Sequence, residues 1–402
     1  MKKIFFMAVS AVLLAAGCQK TEIQNEAIPQ IGFKTQMGKL TKADPDAKNS
    51  GEAKLQEQGF MVWGHIVTED LNHTVGKLYL ADDKNPGGGI ELTYDPTNKK
   101  WGTSDIHYWP GKGKELDIYA VSMSQTNENT YRKVERQYTT ETVNDVKKID
   151  ANPTTLKVND FVVEASADND LMVAPMIRQD QGDAETVNLN FQHALTKVLV
   201  TFRALQDEDD AVYVVSAKTS SLTSNGTLTV TNTAPVTTVD GESGATNTTP
   251  ATPAPNGPIN YSAAIALNNW TAATTPATAE YSAIYNGTSE TVTNVVAGPK
   301  GDDNNPITTF TAYKLSSTPI TFGTWLLIPQ EITKDTYLDV EYIVAGTYVK
   351  QRFNLWVENV LTKWDVNQQT SYNIKISPDD IQFEPDVKDW STGTVITEER
   401  DN

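Results

Sequence analysis

Apolar and polar residues alternate with a period of two in short bursts along this chain, and no apolar stripe recurs at helical spacing for any length. That period sends successive side chains to opposite faces of an extended strand, so the chain reads as all-β. Residues 90–94 (Ile-Glu-Leu-Thr-Tyr) run into Asp95-Pro96-Thr97-Asn98-Lys99 and return toward Trp101, a hairpin by both pattern and turn chemistry. Leu338, Val340, Tyr342 and Val344 share one face of another strand, which turns at Gly346-Thr347 into residues 349–356. Further strands are expected at residues 60–67, 106–109, 116–123, 161–164, 325–328 and 372–376. Helices are not needed to explain the pattern.

The amino terminus sets the address. Lys2 and Lys3 precede an apolar stretch from Ile4 to Ala16, too short to span a bilayer core that needs roughly 20 residues. It ends Leu13-Leu14-Ala15-Ala16-Gly17-Cys18, and Cys18 is the sole cysteine of the chain. The run resembles the lipobox of bacterial lipoproteins, with Ala15 where Leu is commonest. The resemblance implies cleavage before Cys18 and acylation of its thiol and new amine, which anchors a chain stably once two or more acyl groups are attached. The alternative is an ordinary secretory signal that leaves a free thiol. Removing residues 1–17 leaves 402 less 17, or 385 residues, and the loss of Lys2 and Lys3 takes the net charge from −18 to −20. So acidic a chain is a poor partner for nucleic acid, and its length makes two domains the default expectation.

Two stretches stand apart. Residues 219–305 are rich in Thr, Ala, Asn, Pro and Gly, with scattered apolar positions such as Ile265, Leu267 and Trp270, and read as loops and weak strands decorating a second domain. Residues 19–58 are polar and loop-like except for one island with strand alternation at residues 31–37. Catalytic constellations are not evident. The four histidines, His65, His73, His107 and His193, have no metal-ligand spacing; His193 lies on the apolar face of Leu189, Phe191 and Leu195 and reads as a satisfied, partly buried side chain. The apolar parity changes after it, at Val198, Val200 and Phe202, which implies a bulge or bend near Thr196 and Lys197. No nucleophile elbow or phosphate loop occurs, and no enzyme activity, metal or cofactor is expected.

Four features together resemble one family, the fimbrillin-like surface lipoproteins of the Bacteroidetes. They are the lipobox; Trp101 followed by Tyr108-Trp109-Pro110 and Leu116-Asp117-Ile118-Tyr119-Ala120; the run from Phe191 through His193 to Val198; and Leu326-Leu327-Ile328-Pro329-Gln330 with a closing Asp389-Trp390. The resemblance implies two transthyretin-like β-sandwich domains in tandem. On that reading residues 1–17 are the signal, 18–58 the anchor, strand and linker, 59–182 the first domain, and 183–402 the second, with a boundary near Gly182 and a tail at about 378–402.

The same resemblance implies a mechanism of assembly. The first strand is removable by proteolysis, and its loss bares unpaired backbone groups beside an apolar trench, an edge that invites another strand. Here the removable strand would carry Ile31, Phe33 and Met37, and the donated strand would carry Ile381, Phe383, Val387, Val395 and Ile396. The family's best-known members are cut after arginine. In this chain the first arginine after Cys18 is Arg132, so Lys39, Lys42 and Lys48 become the candidate processing points. The partners implied are other pilus subunits, the outer membrane through the lipid, and a host or bacterial surface receptor. A surface glycan-binding lipoprotein of a nutrient uptake system, stacking exposed aromatics on sugars, is the alternative of a different class.

Overall fold

The computed structural model describes residues 28–37, 51–390 and 395–396, leaving out 83, 86–87, 124–132, 151–153, 164–168, 183–185, 206–210, 235, 240–246, 251–257, 274, 284, 286, 303 and 379. The chain is nearly all β, with 57% of residues in strands and 4% in helix. Four larger sheets carry the architecture.

The first sheet runs, in spatial order, Gly32–Met37, Thr186–His193, Met172–Gln179, Leu116–Ser122, Phe60–Ile66, Ile90–Asp95 and Lys100–Gly102. Its middle strands are buried on both faces. Along Phe60–Ile66, Phe60, Val62 and Ile66 enter one core cluster while Met61 and Trp63 enter another. Leu116–Ser122 divides the same way, with Ile118 and Ala120 to one side and Tyr119 and Val121 to the other. A strand with two dry faces reads as a continuous apolar run, which is how these two appear in sequence. The sheet also curls. Trp101 on its last strand donates from Nε1 to Thr35 Oγ1 on its first, at 2.9 Å, and Phe60 packs between Trp101 and Phe191 at centroid distances of 4.6 and 5.0 Å.

The second sheet orders Trp270–Ala272, Asn225–Asn232, Thr154–Val162 and Val134–Gln137. Here the structure departs from the expectation that residues 219–305 decorate a second domain. Asn225–Asn232 pairs antiparallel with Thr154–Val162, and Leu228, Val230 and Trp270 enter the largest core together with Leu156, Val158 and Phe161. The reason is the period-two arrangement. Gly226, Leu228, Val230 and Asn232 are buried whereas Thr227, Thr229 and Thr231 point outward, so the threonine content is the wet face of one strand.

The third sheet orders Ile320–Leu327, Thr196–Ala204, Gln368–Ile376, Ile381–Asp389 and Val395–Ile396, and the fourth Glu290–Val292, Phe310–Lys314, Val212–Thr219, Tyr337–Val344 and Thr347–Asn354. The expected hairpin at Tyr337–Val344 and Thr347–Asn354 turns through Ala345 and Gly346, both at positive φ (46° and 72°), the two-residue geometry that matches strand twist. The other expected hairpin is Ile90–Asp95 with Lys100–Gly102. Residues 106–109 form no full strand; Tyr108 makes an isolated bridge to Gln30. Val198, Val200 and Phe202 face Val214, Ala217, Leu338 and Val340 in a core that continues to Met61, Trp63 and Tyr119 of the first sheet. Thr186–His193 still belongs to the first sheet, so the change of sheet falls at residues 194–195, later than Gly182. That crossing is the physical source of the parity change after His193.

Candidate functional site

The amino-terminal strand Gly32–Met37 is an edge strand. It pairs parallel with Thr186–His193 from Gly32 opposite Thr186 to Met37 opposite Phe191. Its start is stitched on the other side to residues 107–109: Ile31 N–H donates to His107 O at 2.9 Å and Trp109 N–H to Pro29 O at 3.2 Å. Alternation then decides its inward face. Ile31 and Met37 are 4% and 8% exposed, Phe33 is half-buried against the same cluster, and Lys34 and Gln36 point to solvent. The three side chains singled out in sequence are thus brought together beside Val187, Leu189 and Phe191.

A helix follows, Gly51–Gln58, where the sequence reads as loop. Its signal is composition rather than periodicity, since Ala53, Lys54, Leu55, Gln56 and Glu57 are all strong helix formers while Leu55 alone supplies a buried anchor. Gly59 stops it. The Gly59 N–H bonds Leu55 O at 2.9 Å, its φ is +69°, and a Cβ there would sit 2.6 Å from Leu92 O, so only glycine makes this turn into Phe60. Thr35 Oγ1 reaches Glu52 Oε1 at 3.5 Å, joining the edge strand to the helix.

At the other end of the chain, Ile381–Asp389 pairs with Gln368–Ile376 over its whole length, and Val395–Ile396 covers only Val387 and Lys388. Ile381, Phe383 and Val387 are half-buried, and Phe383 stacks on Phe353 and Tyr372 at 5.3 and 5.5 Å. The strand is partly polar and carries Pro385, a residue confined in sheets to edges and bulges. In this conformation the candidate donor lies in its own sheet. Cys18, Lys39, Lys42 and Lys48 lie outside the described residues, as do the side chains of Val395 and Ile396.

Where the first sheet gives way to the third, buried polar groups meet. His193 and Asp170, 3% and 2% exposed in their side chains, pair through Nδ1 and Oδ2 at 2.7 Å, so Nδ1 carries the proton that the carboxylate accepts. Trp390 lies on the His193 ring at 3.8 Å and 11°. A second buried cluster sits between the first and second sheets. Arg178 donates to both oxygens of Asp117 at 2.7 and 3.0 Å and Arg136 adds a bond of 2.5 Å. Burial pushes the Asp117 carboxyl up, but the two guanidiniums outweigh it and hold the group below the usual carboxylate range. Nearby, burial and then Arg136 lower His65 to about 4, so it stays neutral between Gly76 O and the Tyr119 hydroxyl, each 3.1 Å away. These are structural polar groups. Among the described residues no three His, Cys, Asp or Glu gather in a metal-holding geometry. All eight tryptophans are buried or half-buried, and Tyr108 is an exposed aromatic at 50%.

The fold and this site define an all-β sandwich protein with Gly32–Met37 at the edge of its first sheet and Val395–Ile396 at the edge of its third. Residues 80–300, more than half of the chain, match the fimbrillin-like family, and the chain belongs to that family, one of structural and adhesive proteins and not of enzymes. A solved fimbrial protein from Bacteroides vulgatus aligns at TM-score 0.50 and 13% identity over 90% of this chain and 99% of its own. Candidate cell adhesion proteins from Bacteroides uniformis (TM-score 0.43, 16% identity, 90% and 98% covered) and Bacteroides ovatus (0.44, 13%, 93% and 100%) align more loosely. At such identities the likeness concerns the fold. No curated protein sequence matches.

Proposed function

We infer that this protein is a structural or adhesive subunit of a cell-surface pilus, exported as a lipoprotein through Cys18, and assembled by replacing its amino-terminal strand with a strand from a neighbouring subunit. The observation that carries the reading is the position of Gly32–Met37: an edge strand, paired on one side only beyond its first residues, that closes an apolar core with Ile31, Phe33 and Met37. An edge strand of this kind is followed by the stretch with Lys39, Lys42 and Lys48, where a single cut would separate it from the body. Membership of the fimbrillin-like family and the likeness to a fimbrial protein support the same role. Ile381–Asp389 is the donor, leaving its own sheet to enter a neighbour's groove, where inserted side chains contribute about 1.5–3 kcal/mol each and ladder bonds about 1 kcal/mol each.

On this reading the sheets form two tandem transthyretin-like sandwiches that share a continuous core. The lipid at Cys18 tethers the precursor to the outer membrane until cutting frees it, other pilus subunits are the partners, and a surface receptor is the target of adhesion. The test is a truncation. Protein cut in the linker should run as a ladder of multimers on non-denaturing gels, and deletion of residues 378–402 should abolish the ladder; an unchanged ladder removes the donor role from that segment.

A further inference from the structure

The carboxy-terminal strand ends at a clasp that no sequence motif explains alone. Trp390 N–H donates to Asn367 O at 2.9 Å, and Asn367 N–H in turn to Leu195 O at 2.9 Å, so the strand's end is pinned to the crossing between the first and third sheets. The Trp390 ring covers His193, and the Lys197 ammonium stands 5.9 Å from the centre of the same ring. Stacking and cation–π contacts of this kind hold an aromatic side chain in place beyond its simple burial. The rest of the strand is held by its ladder to Gln368–Ile376 and by apolar side chains that are half-buried.

His193 is itself positioned from the opposite end of the chain. Its partner Asp170 offers its backbone carbonyl to Gln58 Nε2 at 2.7 Å, and the same nitrogen donates to Ser122 Oγ at 2.6 Å, whose hydroxyl bonds Gly59 O at 2.5 Å. Gln58 is the last residue of the helix that Glu52 ties to Thr35 of the amino-terminal strand. A path therefore runs from that strand to Glu52, along the helix to Gln58, and through Asp170 and His193 to Trp390. It is not fully satisfied: Gln58 Oε1 and Asp170 Oδ1 are buried without a hydrogen-bond partner.

We propose that Trp390 is the latch of the carboxy-terminal strand and that the Gln58–Asp170–His193 series makes its hold depend on the docked amino-terminal strand and helix. Loss of that strand loosens the helix, Gln58 lets go of the Asp170 segment, His193 shifts under Trp390, and Ile381–Asp389 is released. The proposal rests on the strand-replacement reading and adds an order to it: a subunit frees its own donor only after its own groove has been emptied, so uncut precursors do not join. Coupling of this sort needs a measured response at one end to a change at the other.

Hydrogen exchange with mass spectrometry on the full, uncut chain supplies that measurement without any polymer. Trp390→Ala should speed exchange of backbone amides 381–389 about tenfold. Gln58→Met, which keeps the side-chain length and removes the donor, should speed the same segment severalfold while leaving Tyr337–Val344 in the fourth sheet unchanged. If Gln58→Met does not fold, Thr35→Val, which removes the strand's hydrogen bond to Glu52, is read the same way. Acceleration in both Trp390→Ala and the relay variant supports the latch and its coupling. No acceleration in Trp390→Ala overturns the latch, and acceleration there but not in the relay variant overturns the coupling. Either failure leaves multimer ladders of cut protein unaffected, and so is distinct from a failure of the assembly reading.

Discussion

Truncating the inward face of the amino-terminal strand separates a detachable strand from an integral one. Ile31 and Met37 are nearly fully buried, and truncating a buried Ile or Met to Ala removes about 2–5 kcal/mol where the surroundings cannot collapse. Six residues of strand place them about 20 Å apart, far enough for their effects to add. If the strand must stay docked for the body to fold, Ile31→Ala with Met37→Ala lowers the unfolding free energy by the sum, about 4–10 kcal/mol. If the strand docks onto a body that folds around it, the loss saturates at the strand's own docking free energy, because beyond that point the strand simply leaves. Urea unfolding at neutral pH reads the global loss, and native-state hydrogen exchange reads amides 33–37 separately. The expected outcome is that either single variant raises exchange in 33–37 sharply while the double variant unfolds at nearly the same urea concentration as the singles. Full additivity, with exchange rising equally across Leu116–Ser122, would refute the reasoning.

Other consequences follow from the buried polar groups and the helix. His65 is held down to about 4 against 6.5 when unfolded, so its contribution is complete above pH 6.5 and is lost as pH falls toward 4; about 3 kcal/mol should disappear over that window in denaturant titrations, and His65→Gln should flatten the slope. Asp117→Asn leaves two buried guanidiniums facing each other and should cost about 3–5 kcal/mol, measured by urea unfolding, whereas an exposed pair such as Lys350–Glu341 should be worth under about 1 kcal/mol. Leu55→Ala should cost about 2–5 kcal/mol and lower the protection of amides 33–37, because the helix packs on the same core as the edge strand.

Much of the fold is legible in the residues because burial on one face leaves a mark of period two and burial on both faces leaves a near-unbroken apolar run. Phe60–Ile66, Leu116–Ser122 and the Tyr337–Val344 hairpin stand out in this way, as do the inward positions Ile31, Phe33 and Met37. The strand Asn225–Asn232 is hidden because its outward threonines dominate its composition, although Gly226, Leu228 and Val230 keep the alternation. The helix Gly51–Gln58 is hidden by its length, two turns with one buried side chain, too short for helical periodicity to register. The clasp at Trp390 is beyond sequence reasoning for a different cause. Asp170, His193 and Trp390 are joined only when the first and third sheets meet, and no local pattern encodes a contact across that distance.

Electron microscopy of the full chain carrying one engineered protease site between residues 38 and 50, before and after cutting, bears most directly on assembly by strand replacement. Cut protein should form end-to-end filaments, uncut protein should stay monomeric, and cut protein with Phe383→Asp and Val387→Asp should form none. Cut protein that remains monomeric, or filaments that form equally well without the cut, would contradict it.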